Sequence, residues 1–313
     1  MGDEHIAERR LLISFSGGET SALMTKLILD NWRDRYDEIV TVFSNTGQEN
    51  EETLRFVDQC DKAFGFNVIW IEAEVSATRG TGTRAKVVTF ETASRNGEPF
   101  EQVIQKYGIP GPGVPHCSRE LKGRPIKRWA REHGWLSGTY DTAIGIRTDE
   151  GDRISVNAKA ERIIYPLVSR FPRTKAAVNA FWEQQPFRLL LKGYQGNCKW
   201  CWKKSLRKHL TIITETPEAY EFPERMEQLY PTAGAGTTGE PRRFFRDNRT
   251  VADLRLMAST ERFEPATDDA RVYQTDLIGW LDADMDACGY GSCEVEFDHT
   301  HSIEEDRRLP HDQ

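Results

Sequence analysis

Apolar residues in the first half of the chain fall into short runs that alternate with stretches of helical spacing. "RRLLISF" (9–15), "EIVTVFSN" (38–45) and "FNVIWIEA" (66–73) are brief and rich in β-branched or aromatic residues, the pattern of buried strands. Between them, "TSALMTKLILDNW" (20–32) repeats its apolar positions every three or four residues. "NEETLRFVDQCDKAFG" (50–65) is amphipathic and stops at a glycine. A further strand is predicted in "YDTAIGIRTDE" (140–150), leaving an arginine at its C-terminal end. The β-α-β-α-β order predicts an α/β fold: a parallel, twisted, Rossmann-like sheet with helices on both faces.

Two segments break this rhythm. Residues 74–115 form a long Gly-, Thr- and Arg-rich insert between the third and fourth strands, and inserts of that length are usually functional or mobile. "YPTAGAGTTGEPRR" (230–243) is a run of turn residues ahead of the C-terminal part. The expected organisation is a nucleotide-binding domain over 1–215, carrying a cysteine site, and a small mixed accessory region over 216–313.

The candidate chemistry starts at "LLISFSGGETSALM" (11–24). A turn between a strand and a helix presents backbone N–H groups and the positive end of the helix dipole, a ready anion site. Gly17 and Gly18 permit close approach, and Ser14, Ser16, Thr20 and Ser21 add hydroxyls. The glycine spacing and the lysine of a Walker loop are absent, which argues against a P-loop kinase or GTPase. The dinucleotide fingerprint is absent too.

S-G-G-x-x-S after an apolar strand resembles the PP-loop ATP pyrophosphatase superfamily, and within it the phosphoadenosine-phosphosulfate-reductase-like branch. The resemblance implies that Ser14, Ser16, Gly17, Gly18, Thr20 and Ser21 hold the pyrophosphate part of ATP, with Mg2+ as companion ion and with chemistry between the α- and β-phosphates. Glu19 stands where many members have lysine, and Thr20 where many have aspartate. "VFSNTGQENEETLRFV" resembles the second motif, which implies a place beside the nucleotide for Asn45, Thr46, Gly47 and Glu49. "GIRTDEGDR" resembles the segment whose arginines face phosphate; Arg147 is the first choice there and Arg153 the second. Ser16 and Arg147 are the expected catalytic residues.

Six cysteines remain. Cys60 lies mid-helix and reads as a packing residue. In "GNCKWCWKKS" the C-x-x-C spacing sets Cys198 and Cys201 on one side of a tight turn, a clip for Zn2+ or an iron–sulfur cluster, with a redox dithiol as the competing reading. Cys117 lies 81 positions before Cys198. That layout resembles the cluster ligands of assimilatory sulfonucleotide reductases, with His116-Cys117 in place of a Cys-Cys pair. The resemblance implies a [4Fe-4S] cluster, with Zn2+ as the alternative, on Cys117, Cys198, Cys201 and a fourth ligand, for which Cys293 is ranked ahead of Cys288 and His116.

Three functions are weighed. The first is an ATP-dependent adenylating enzyme that thiolates a nucleic-acid or nucleotide substrate, as in thiolating relatives. Its partners would be an adenine nucleotide, a nucleic-acid substrate and a sulfur- or electron-donor protein. The second is an adenylyl-sulfate reductase, although the C-terminal Glu-Cys-Gly-(Leu/Ile)-His motif of those enzymes is missing. The third is a non-catalytic nucleotide- or nucleic-acid-binding module. The net charge of −7 gives no global push towards nucleic acid, but "SRELKGRPIKRWAR" (118–131) and "KWCWKKSLRKH" (199–209) are locally basic, with Trp129, Trp200 and Trp202 interleaved. No apolar run reaches the length of a membrane span and the N-terminus carries no apolar signal region, so a cytoplasmic protein is expected.

Overall fold

Residues 9–76, 78, 81–234 and 239–268 are described by a computed structural model of the chain. The first two elements are β1 (Arg10–Ser14) and α1 (Glu19–Asn31), followed by β2 (Glu38–Asn45), α2 (Glu51–Phe64) and β3 (Val68–Val75). Next come β4 (Thr83–Val88), α3 (Glu98–Tyr107), α4 (Arg124–Glu132) and β5 (Tyr140–Ile144). The remainder is β6 (Ile163–Ile164), α5 (Pro166–Ser169), α6 (Lys175–Glu183), α7 (Leu206–Glu215), α8 (Glu221–Leu229) and α9 (Val251–Thr260). The six strands form one sheet in the order β4-β3-β2-β1-β5-β6. Only the β3–β4 pairing is antiparallel.

β1 is buried on both faces, as a central parallel strand must be. Leu11 and Ile13 join a core with α1, α2 and α6, including Met24, Phe56 and Trp182. Leu12 points the other way, against Ile126 and Trp129 of α4. Helices therefore cover both faces. α2 closes at Gly65, whose φ of +64° suits the left-handed helix cap.

The 74–115 segment differs from its expected form. It contains β4, which adds an antiparallel edge to the sheet, and α3, which packs near β3. Residues 165–187 carry two helices, α5 and α6, separated around Phe171-Pro172. A third core gathers residues from α3, α7, α8 and α9 around Trp200, Tyr220 and Phe244. The C-terminal part as far as 268 thus shares a core with residues on the N-terminal side of the expected boundary at 215. Among the described residues no helix is long and apolar enough to cross a membrane.

The connections β1-α1-β2 and β2-α2-β3 build the sheet in one direction, while β5 lies on the opposite side of β1. In open α/β sheets, ligands bind at the C-terminal strand ends where the order reverses in this way. Here that point lies between β1 and β5.

Candidate functional site

The loop after β1 sits at this switch point. Gly17 has φ +80°, and an added Cβ would lie 2.8 Å from Thr53 Cγ2 and 3.0 Å from Phe43 Cε2. Its missing side chain therefore makes room for α2 and β2, whereas the sequence suggested room for phosphate. Gly18 is the residue with an open side: its Cβ would meet nothing closer than Ser16 Oγ at 3.8 Å. Gly18 also caps α1, so the loop ends where backbone N–H groups lack helical acceptors. Ser21 fastens the turn from inside. Its Oγ donates to the Gly18 carbonyl at 3.0 Å, accepts from Ser16 N–H at 3.2 Å and lies 2.9 Å from Ser16 Oγ. Ser14 is the buried last residue of β1, paired in register with Val42 and Ile144.

β5 delivers the cation. A Cβ on Gly145 would lie 3.0 Å from Ser21 Cα, so this strand end passes close to the start of α1. Arg147, two residues further on, donates through Nη1 to Thr20 Oγ1 at 3.2 Å and through Nε to Asp149 at 3.0 Å. Glu150 accepts from the Arg147 backbone N–H at 3.1 Å and also binds Arg153. Arg147 is thus held over the loop, while Arg153 stands behind it against Glu150.

Glu19 points elsewhere. Its carboxylate takes a two-pronged bond from Arg188, both contacts at 3.0 Å, and accepts from Leu189 N–H at 3.2 Å. Its carbonyl accepts from Trp182 Nε1 at 2.9 Å. A residue at the expected phosphate-lysine position instead ties the loop to the segment after α6.

The turn after β2 is almost wholly internal. Asn45 is fully buried and donates to Glu72 at 2.7 Å and to the Ser94 carbonyl at 2.8 Å. Its Oδ1 accepts from Gly47 N–H at 3.1 Å. Gly47 has φ +76° and lies against Gly97, leaving no room for a side chain. Thr46 Oγ1 bonds to Glu49 at 3.1 Å and lies 3.5 Å from Cys198 Sγ. Gln48 is the link that sequence reasoning missed: it accepts from Lys199 N–H at 3.0 Å and from Trp200 Nε1 at 2.6 Å. Nothing in the local pattern marks it, because Trp200 is 152 residues away and Lys199 is its chain neighbour.

The same turn forms one wall of a pocket that brings Cys117, Cys198 and Cys201 together with Ser118, Lys122 and Trp202. The C-x-x-C closes a tight turn, with Cys201 N–H donating to the Cys198 carbonyl at 3.1 Å. All three residues are buried and none forms a disulfide. Buried Lys203 and Lys204 follow in sequence. Lys122 pairs with Glu49 at 3.6 Å, and Trp202 Nε1 is buried without a hydrogen-bond partner. The donor chemistry suits a soft metal or cluster, with cations near to offset thiolate charge. The pocket as it stands holds about 20 Å³, room for about one water. Among the described residues no three His, Cys, Asp or Glu side chains converge closely enough to hold a metal ion.

His116 does not line this pocket; its ring lies 5.9 Å from that of Tyr107. Burial, with Arg119 and Arg242 nearby, pushes its pKa down to about 4. Cys288 and Cys293 lie outside the described residues. Trp129, Trp200 and Trp202 are buried core residues, so they offer no open stacking platform for bases. Cys60 is packed in the core, and burial raises its pKa far above the usual thiol range.

Three matches with known proteins bear on this arrangement. The family model described as phosphoadenosine phosphosulfate reductase domain matches residues 10–153, which include the loop, the turn after β2, Cys117 and Arg147. The chain is 32% identical over 200 residues to an uncharacterized nin region protein of Escherichia phage lambda, covering 63% of this chain and 67% of that protein. It is 26% identical over 158 residues to an uncharacterized protein of Methanocaldococcus jannaschii, covering 50% of this chain and 27% of that one.

Proposed function

Because the chain belongs to the phosphoadenosine phosphosulfate reductase domain family, whose members are generally enzymes, we propose that it is an ATP-dependent adenylating enzyme that prepares a nucleic-acid or nucleotide substrate for thiolation. The observation that carries this reading is the loop of Ser14 to Ser21 at the sheet's switch point, with Arg147 held across it by Thr20 and Asp149.

In the proposed reaction a substrate oxygen attacks the α-phosphorus of ATP. The α–β bond breaks and pyrophosphate leaves with its electron pair. A sulfur nucleophile from a donor protein then displaces AMP. The α1 N–H groups and the hydroxyls of Ser16 and Thr20 hold the departing phosphates, with Mg2+ as their counterion. Arg147 offers a charged fork where negative charge builds up. Gly18 supplies the open side through which the phosphates approach. Tight packing behind Gly17 fixes the loop, so its donors are oriented before substrate arrives.

The thiol pocket is assigned in the same proposal to a [4Fe-4S] cluster on Cys117, Cys198 and Cys201, with Cys293 as the fourth ligand. Bound there, the cluster would supply sulfur or electron chemistry. Its entry requires the pocket walls to move, given the space between them. Thr46, which touches Cys198, belongs to the turn beside the loop-bearing strand, so the two halves of the site are neighbours.

The test is pyrophosphate release from ATP by anaerobically purified protein, with and without bulk tRNA or DNA as acceptor, alongside iron and zinc analysis. Acceptor-dependent pyrophosphate release supports the reading. No release, with sulfite formed from adenylyl-sulfate and thioredoxin, would replace it by the reductase. ATP binding without either product would leave a binding module. A colourless protein with one zinc would reject the cluster.

A further inference from the structure

The end of the sheet opposite the phosphate loop carries a second pocket, open to solvent and about 420 Å³ in volume. It is built from the residue before β1, the turn after α1, the start of β5 and residues in and beside β6 and α5. Arg9, Arg35, Arg162 and Arg170 surround it, over a floor that includes Trp32 and Ile164.

Among the described residues one carboxylate lines its wall, and it is already engaged. Asp141 accepts from Arg162 Nη2 at 2.7 Å and from Tyr36 Oη at 3.2 Å. Burial and that carboxylate push the Tyr36 hydroxyl up to about 12, so it remains a donor. Two nearby acids have partners of their own. Asp37 accepts from the Arg9 backbone N–H at 2.6 Å, and Glu38 faces Arg10 at 3.4 Å. Arg35 rests over the Trp32 ring at 5.4 Å. Among the described residues no carboxylate pairs with the guanidinium of Arg9, Arg35 or Arg170.

Among the described lining residues, four arginines against one aspartate leave three excess positive charges. Like charges gathered within a screening length of about 8 Å repel, and an anion between them relieves the cost. Guanidinium forks match phosphate oxygens in geometry as well as charge. The volume falls within the range of small-ligand pockets and exceeds what one phosphate needs.

We propose that this pocket is a second binding site, distinct from the loop after β1, for a phosphate-bearing ligand. The phosphate comes from a free nucleotide or from a nucleic-acid strand, and the two sources are separable. The proposal stands independently of adenylation at the loop.

The experiment titrates the full chain with α,β-methylene-ATP by calorimetry and with a labelled single-stranded 12-mer by anisotropy. Parent, Arg35→Ala/Arg170→Ala and Gly18→Val proteins are compared. The exchanged arginines are exposed, and unchanged circular dichroism checks their fold. A free-nucleotide source gives two nucleotide sites in the parent, one in the double variant and one in Gly18→Val. A nucleic-acid source gives at least a tenfold loss of 12-mer affinity in the double variant. Its log K against log salt also becomes shallower by about 1.4, the share of two phosphate contacts on a single strand. Parent-like binding of both ligands by the double variant would overturn the proposal, whatever Gly18→Val does. Loss of binding in the double variant with none in Gly18→Val would keep this pocket and remove the loop site.

Discussion

The two glycines of the loop are adjacent, yet their substitution should fail in different ways. At Gly17 an added methyl would lie 2.8 Å from Thr53 Cγ2, well inside ordinary carbon–carbon contact, and the φ of +80° strains any other residue. Overpacking costs about 1–3 kcal/mol. The left-handed backbone adds about 1–2 kcal/mol. Gly17→Ala should therefore lose about 2–5 kcal/mol of folding stability, from a typical total of about 5–15. With a urea slope of about 3 kcal/mol per M, the unfolding midpoint falls by about 0.7–1.7 M. At Gly18 the backbone is extended, φ −102° and ψ 161°, and the nearest atom to a Cβ is at 3.8 Å. Gly18→Val should fold with a stability within about 1 kcal/mol of the parent's while losing ATP binding, because its methyls stand in front of the α1 N–H groups. Urea melts followed by tryptophan fluorescence and ATP calorimetry at a denaturant-free temperature measure both. A Gly17→Ala midpoint equal to the parent's, or parent-like ATP affinity in Gly18→Val, would refute the assignment of packing to one glycine and approach to the other.

Arg147→Ala should weaken nucleotide binding by about 10–100-fold, the worth of about 1.5–3 kcal/mol for a charged hydrogen bond, and Arg147→Lys should recover only part of it, read by calorimetry. Glu19→Lys should not tighten ATP binding; it strips the fork from Arg188, whose side chain is only 14% exposed, and should lower stability by about 1–3 kcal/mol in a thermal melt. His209 is buried beside Tyr220, and burial pushes its pKa down to about 3. The unfolded chain then binds the extra proton first, so stability falls as pH drops below about 6.5, by about 2 kcal/mol at pH 5, and His209→Asn should flatten that acid limb by one proton. A Cys198→Ala protein that retains the parent's iron content would remove this residue from the cluster assignment.

The strand–helix alternation and the loop were legible because each is a local pattern: Leu11 to Ile13 is a continuous apolar run within β1, and Gly18 marks where a helix starts. Arg147 was legible from its position beyond a strand. The fate of 74–115 was not, since β4 is short, partly exposed and polar, and it becomes a strand by pairing with β3. The tie between Glu19 and Arg188 was not legible, because the two are 169 positions apart and no periodicity links them. The tryptophans beside the cysteines stand among lysines in sequence, a pattern open both to base stacking and to a shell around the cysteine site; Trp200 is capped by Gln48 and packed against Phe100 and Phe244. In each case the missing information was a long-range contact, which sequence spacing does not carry.

The central place of β1 has a consequence for synthesis. Its two neighbours are β2, complete at residue 45, and β5, complete at residue 144. A chain emerging from the ribosome has one side of β1 paired early, while the other waits for about a hundred further residues, a delay of roughly 5–20 s at common elongation rates. During that interval the Leu11–Ile13 backbone is an unprotected edge open to wrong partners. Gly145 and Arg147 arrive only with β5, so the loop meets its cation last. Nascent chains stalled before residue 140 should therefore be prone to aggregate and unable to hold nucleotide, which makes translation pace in this region a determinant of yield.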